Sequence, residues 1–130
     1  MSADSFTISA ASPSDREEIL ALLVAVGLPV EGVAEHLKGF LVARAQGGRL
    51  VGCAGVERHG ESGLLRSVVV APDRQRSGLG SRLVSAALSA AERGGVKEVV
   101  LLTTTARDFF AAHSGFEEAT RADYEKQFAA

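Results

Sequence analysis

LLRSVVVAPDRQRSGLGSRLV, residues 64–84, is the stretch that decides the fold. The apolar run Val68 to Ala71 reads as a buried strand that stops at Pro72 and Asp73, where the chain has to bend. Gly78 and Gly80 then open a segment whose apolar residues recur at helical spacing. The first backbone N–H groups of a helix have no intrahelical acceptor and lie at the positive end of its dipole, so an anion satisfies them. Two residues without side chains let a phosphate approach the backbone, and Arg74, Arg76 and Arg82 add positive charge around the mouth. Strand, turn and glycine-opened helix in this order point to a phosphorylated ligand.

Two common phosphate loops do not fit these residues. A P-loop needs Lys and then Ser or Thr at the helix start, whereas Gly80 is followed by Ser81 and Arg82. A dinucleotide fingerprint needs a third small residue where this chain has Leu83. What remains is Gln75, Arg76, Ser77, Gly78, Leu79, Gly80, the pattern Q/R-x-x-G-x-G/A. In this it resembles the acyl-CoA-binding motif of the GNAT N-acetyltransferases. A glycine loop that merely starts a helix is the plainer alternative, and the surrounding elements weigh against it.

With 130 residues, 46% of them hydrophobic, the chain has the size of one compact domain, residues 1–130, and no room for a second. A net charge of −2 argues against a general nucleic-acid or membrane surface, because the arginines cluster near the glycine loop instead of covering a face. Met1 to Ala11 does not resemble a signal peptide, and no apolar run approaches the ~20 residues that span a bilayer, so a cytoplasmic location is expected. The single cysteine, Cys53, excludes an internal disulfide and a multi-thiolate metal site, and its apolar setting reads as a small buried filler. His36, His59 and His113 lack metal-ligand spacing and are expected at the surface or as caps.

Phe6 to Ala10 reads as a first strand. Ser14 reads as the cap of a helix over about Asp15 to Val26, with Ile19, Leu22, Leu23 and Val26 on its apolar stripe. A shorter helix is expected from Val30 to Leu37. Gly47 and Gly48 separate the run Phe40 to Ala45 from Leu50 to Arg58, and His59 to Gly63 separates that from Leu64 to Ala71, giving a three-strand meander. The helix after Gly78 presents Leu79, Leu83, Ala86, Ala87 and Ala90 to the sheet and ends at Gly94 and Gly95. Glu98 to Thr103 follows as a strand parallel to Leu64 to Ala71. A short helix near Ala106 to Ala112 and a strand from Phe116 close the chain.

This order is that of the GNAT fold, an α/β (α+β) arrangement with a mixed sheet of about six to seven strands and about four helices. The resemblance spans roughly Phe6 to Tyr124 and includes a closing segment, Phe109, Phe110, Gly115, Phe116, similar to the family's F-Y-x-x-x-G-F. It implies acetyl-CoA as cosubstrate, no metal, a small-molecule amine as acceptor and, as is common in the family, a homodimer. It places the pantetheine arm beside Val68, Val69 and Val70, and the diphosphate on Gln75, Arg76, Ser77, Gly78, Leu79, Gly80 and Ser81, with Phe110 also at the cofactor. Backbone N–H groups of that strand would polarise the thioester carbonyl. The family's usual acid, a tyrosine, falls at Ala111 here, or at Phe110 if the extra residue sits in the turn, and neither carries a hydroxyl.

Arg66 and Ser67 are polar residues in an otherwise apolar strand, which suggests a cleft, where Arg66 can hold a substrate anion; a surface arginine is the other reading. Glu57 ranks first as the base for the amine, ahead of Glu61 and Glu35. If the hairpin pairs Glu57 with Leu64 or Arg66, the two charges share a face; pairing with Leu65 separates them. The segments FLVAR (40–44), LVGCAGVE (50–57), LLRSVVV (64–70) and LLTTTA (101–106) further resemble acetyltransferases encoded beside arsenic-resistance genes, which implies an amino-acid-like organoarsenical as acceptor. A catalytically weak acyl-CoA sensor and a protein N-acetyltransferase are the alternative functions.

Overall fold

A computed structural model describes residues 6–75 and 77–101. One sheet holds β1 (Phe6–Ala10), β2 (Phe40–Ala45), β3 (Leu50–His59), β4 (Ser62–Val70) and β5 (Glu98–Leu101) in that spatial order. Helix α1 (Arg16–Ala25) lies between β1 and β2 in the chain, and α2 (Leu79–Arg93) between β4 and β5. The pairs β1–β2, β2–β3 and β3–β4 are antiparallel, and β5 runs parallel to β4, from Ser62–Glu98 to Leu65–Leu101. A parallel pair needs a crossover, and α2 supplies it.

Alternation along the strands sends side chains to two apolar layers. On one side Leu79, Leu83, Val84 and Ala87 of α2 pack on Ala43, Val51, Val56 and Leu65. On the other, Ile19 and Leu23 of α1 pack on Val33, Phe40, Val42 and Cys53. The four buried α2 residues recur at three- and four-residue steps, the amphipathic spacing by which a helix covers a sheet.

Several local readings shift. The turn before α1 is a short 3-10 segment, Pro13–Asp15, and Ser12 is its cap in place of the expected Ser14: its N–H donates to Asp15 Oδ2 at 2.8 Å. The β3–β4 turn is tighter than the interval His59 to Gly63, because His59 pairs with Ser62 and Arg58 with Gly63. The helix expected from Val30 to Leu37 is absent. Gly32 has φ +84, which breaks a right-handed helical path, and only a 3-10 turn, Leu37–Gly39, follows. What this connection does instead is bury Val33 against the α1 layer and bring Gly32 and His36 to the sheet.

The described residues hold five strands and two α-helices, fewer than the six to seven strands and four helices of the sequence reading. Leu102, Thr103, the helix near Ala106 to Ala112 and the strand from Phe116 lie outside the described residues, as do Arg76 and Phe110.

Candidate active site

The glycine loop is built as its sequence requires. Pro72–Arg74 forms a 3-10 turn closed by Arg74 N–H to Ala71 O at 2.8 Å, and Ser77 Oγ donates to Arg74 O at 2.6 Å. Gln75 Nε2 donates back to Val70 O at 3.3 Å, so this side chain ties the loop to the strand end. Gly78 caps α2 at φ +82, a left-handed conformation that favours glycine. Among the described residues, a Cβ placed there would meet nothing within 4 Å. The first α2 bond runs from Arg82 N–H to Gly78 O, which leaves the N–H groups of Leu79, Gly80 and Ser81 ahead of the intrahelical ladder.

Three expected ligands of this loop contribute backbone alone. Leu79 is core, with its side chain beneath the helix, and Gly78 and Gly80 have no side chain. Arg82, expected at the mouth, lies with its guanidinium carbon 4.8 Å from the centre of the Phe6 ring. That cation–π contact ties α2 to β1.

The strand leading into the loop carries a bulge. Gly55 pairs with Arg66 and Cys53 with Val69, so β4 advances by one residue more than β3 between these two pairs. The extra residue is Ser67, at φ +57, the only non-glycine residue with positive φ among those described. A non-glycine residue in this region costs on the order of 1 kcal/mol or more. The buried Cys53 thiol donates to Ser67 O at 3.3 Å and steadies the irregularity. Burial pushes that thiol up to about 12, so it is protonated near neutral pH and is no nucleophile. The bulge also turns side chains: Val68 and Val70 pack toward α2, while Val69 joins the α1 layer. These three valines therefore have apolar side chains committed to packing, and their backbone is what they have to offer a ligand.

Glu57 pairs with Leu64, which puts its carboxylate on the same face as Arg66. Arg66 Nη1 donates to Glu57 Oε1 at 2.9 Å, and Arg66 Nε donates to Ser67 Oγ at 3.2 Å. Both side chains are 16% exposed. Two histidines expected at the surface or as caps face the same carboxylate: His59 Nε2 is 2.7 Å from Oε2, and His36 Nε2 is 3.8 Å from Oε1. Burial alone pushes the Glu57 carboxyl up, but the hydrogen bonds from His59 and Arg66, with the nearby His36, outweigh it and hold the carboxyl below its ordinary value. Glu57 is thus an anion faced by three basic side chains, those of Arg66, His59 and His36.

Of the other base candidates, Glu61 sits exposed at the β3–β4 turn, 3.4 Å from Lys97 Nζ, and Glu35 lies on the connection beside His36. Neither approaches Arg66 within hydrogen-bond reach. The histidines were missed because they stand far apart in the chain, and no spacing rule joins a connection residue to a strand end. No group of His, Cys, Asp and Glu suited to a metal occurs among the described residues, and no described helix is long and apolar enough to cross a membrane.

A bulged strand running into a glycine-capped helix on a mixed sheet defines the class of fold. Residues 36–118 match the family described as acetyltransferase (GNAT) domain, and the chain belongs to that family. It is an enzyme of the acyltransferase class. A GNAT-family acetyltransferase from Staphylococcus aureus Mu50 superposes with a TM-score of 0.83 at 18% identity, over 97% of this chain and 93% of that one. Rv2747 from Mycobacterium tuberculosis, solved in complex with CoA, gives 0.76 at 25% identity over 95% and 82%. The N-acetylglutamate synthase of Neisseria gonorrhoeae, solved with CoA and L-arginine, gives 0.79 at 24% identity over 96% of this chain. This chain spans only 31% of the length of that synthase. No curated protein sequence matches the chain.

Proposed function

We propose that this protein transfers an acetyl group from acetyl-CoA to the amine of a small, amino-acid-like molecule. Arg66 carries the reading. Its Nη1 and Nε are bound to Glu57 and Ser67, while its Nη2 donors take no acceptor among the described residues, so a fixed guanidinium edge is left for an anion. It stands next to the β4 bulge, on the strand that leads to the phosphate-type loop. Complexes of the Mycobacterium and Neisseria proteins with CoA support the cosubstrate.

In this reading the N–H groups at the start of α2 hold the diphosphate, the loop residues are Gln75, Arg76, Ser77, Gly78, Leu79, Gly80 and Ser81, and Phe110 is a further cofactor residue by the family resemblance. The backbone of Val68, Val69 and Val70 guides the pantetheine arm and polarises the thioester carbonyl. The thioester supplies the acetyl group and a thiolate that leaves readily near neutral pH. Arg66 and Ser67 hold the acceptor's anionic group, and Glu57 supplies the negative charge that draws the proton from its ammonium. The four segments that resemble arsenic-resistance acetyltransferases make an amino-acid-like organoarsenical one acceptor to test.

The test is CoA thiol release from acetyl-CoA over a panel of amino acids, each paired with its decarboxylated amine. Faster turnover of the carboxylate-bearing member supports the assignment. Equal rates within each pair remove Arg66 from the acceptor site. Phe110 and Ala111, without a hydroxyl in the family's acid slot, favour a second reading, an acyl-CoA sensor. CoA binding with no thiol release from any amine would select it.

A further inference from the structure

The convergence of His36 and His59 on Glu57 divides the proton chemistry among them. An ionised carboxylate only accepts hydrogen bonds, so at 2.7 Å His59 Nε2 must be the donor and already carries its proton. That nitrogen has no lone pair to give. His36 Nε2, at 3.8 Å from Oε1, is beyond hydrogen-bond reach and beside a negative charge. A proton arriving there becomes one member of an ion pair with Glu57 after a movement of under about 1 Å. His36 lies on the same connection as Gly32, whose backbone passes so close to Arg66 that a Cβ would stand 2.7 Å from Nη1. It also borders a cavity of about 360 Å³ together with Val56, Arg58 and Val96.

We propose that His36 is the proton acceptor of acetyl transfer, with Glu57 as the counter-ion that holds the imidazolium. The proposal rests on the amine-acetylation reading above. The acceptor ammonium gives one proton to His36 Nε2, and the freed lone pair forms the C–N bond at the thioester carbonyl. The C–S bond breaks, its electron pair leaves on sulfur, and the second surplus proton of the nitrogen passes to that thiolate, giving CoA thiol. His36 then returns its proton to water. The charged and titratable groups around it are Glu35 and Lys38 on its own connection, Glu57, Arg58 and His59 on β3, and Arg66 on β4. His59 rests its ring 5.9 Å from that of His36, so both histidines share the one carboxylate.

The experiment is the pH profile of kcat/KM for wild type and His36→Asn with one amine acceptor, with thermal stabilisation by CoA as the check that each variant is folded. Removing a proton acceptor costs about 100-fold or more. The expected result is that loss, disappearance of the acid-side fall that an imidazole produces, and partial rescue of His36→Ala by added imidazole. His36→Gln replaces the asparagine variant if the latter does not fold. A His36→Asn protein that keeps its rate within a few-fold, or that loses rate with an unchanged profile and no imidazole rescue, overturns the proposal while acetylation stands. A wild-type protein that releases no thiol with any amine overturns both.

Discussion

Arg66 Nη1 lies 2.9 Å from Glu57 Oε1, and the cause is register: Glu57 stands opposite Leu64, and Arg66 stands opposite Gly55. Val56 and Leu65 belong to the α2 layer, so their chain neighbours Glu57 and Arg66 point to the opposite face. Arg66→Lys keeps the charge and loses the planar fork, so one contact must be given up. KM for a carboxylate-bearing acceptor is expected to rise about tenfold or more, while KM for acetyl-CoA and for the decarboxylated amine changes little. Steady-state kinetics on the matched pair of acceptors checks this.

The Gly32 backbone passes close to that guanidinium. A methyl group there meets Arg66 Nη1 at 2.7 Å and Glu57 Oε1 at 3.6 Å, and φ +84 disfavours any L side chain. Gly32→Ala is expected to lower stability by about 1 kcal/mol through backbone strain. It should also displace Arg66, so the KM discrimination between the two acceptors shrinks. Full discrimination in a folded Gly32→Ala protein would show that the connection does not set the position of Arg66.

At the start of α2, Gly78→Asp places a carboxylate where the diphosphate is expected. A ligand bound only by the native state raises its stability by RT ln(1 + [L]/Kd), and this rise with CoA should vanish in Gly78→Asp. Gly78→Ala shares the strain of φ +82 without the charge and serves as the control. Differential scanning fluorimetry with and without CoA separates the two.

Arg44 makes a different kind of pair, one that holds the fold. Its guanidinium is 2.5 Å from Asp15 Oδ1 and 2.8 Å from Glu18 Oε1, joining β2 to the start of α1. The Asp15 carboxyl is held below its ordinary value by the Ser12 N–H and by Arg44, against burial, which pushes it up. A depressed folded pKa contributes stability above the unfolded value, and that contribution is lost as pH falls through the folded one. Arg44→Met, which leaves Asp15 without its ion pair, should cost about 1–3 kcal/mol near neutral pH. The difference from wild type should narrow below about pH 4, as urea melts across pH will show.

The Cys53 thiol, buried and pushed up to about 12, should resist alkylation in the folded protein at pH 8 and react at once in urea. Cys53→Ala should keep turnover within a few-fold, since the thiol has no part in the chemistry. Rapid labelling of native protein would mean that the sheet opens around the bulge.

Much of this was legible in the chain because it is local. The Pro72–Asp73 bend, the Gly78 cap and the apolar spacing of Leu79, Leu83 and Ala87 are written within a few residues of one another, and turn and helix chemistry acts over that range. The β1 boundaries and the meander followed from Gly47, Gly48 and runs of alternating or continuous apolar residues. The spacing of Val30–Leu37 is helical, yet Gly32 takes a left-handed conformation and lies where a side chain would meet Arg66. Nothing in Arg66-Ser67-Val68 announces a bulge, because serine is no preferred residue for positive φ.

What the sequence alone determined, then, is the class of element at each position and the loop that starts α2, for these depend on neighbours in the chain. Only the tertiary structure decided that Ser67 is the extra residue of β4, that Glu57 and Arg66 share a face, and that His36 and His59 meet at one carboxylate. A one-residue change of register would send Glu57 to the other side of the sheet, and register is set by the summed packing of two apolar layers. The place of His36 depends on where a connection crosses that sheet, a long-range relation that no short pattern encodes.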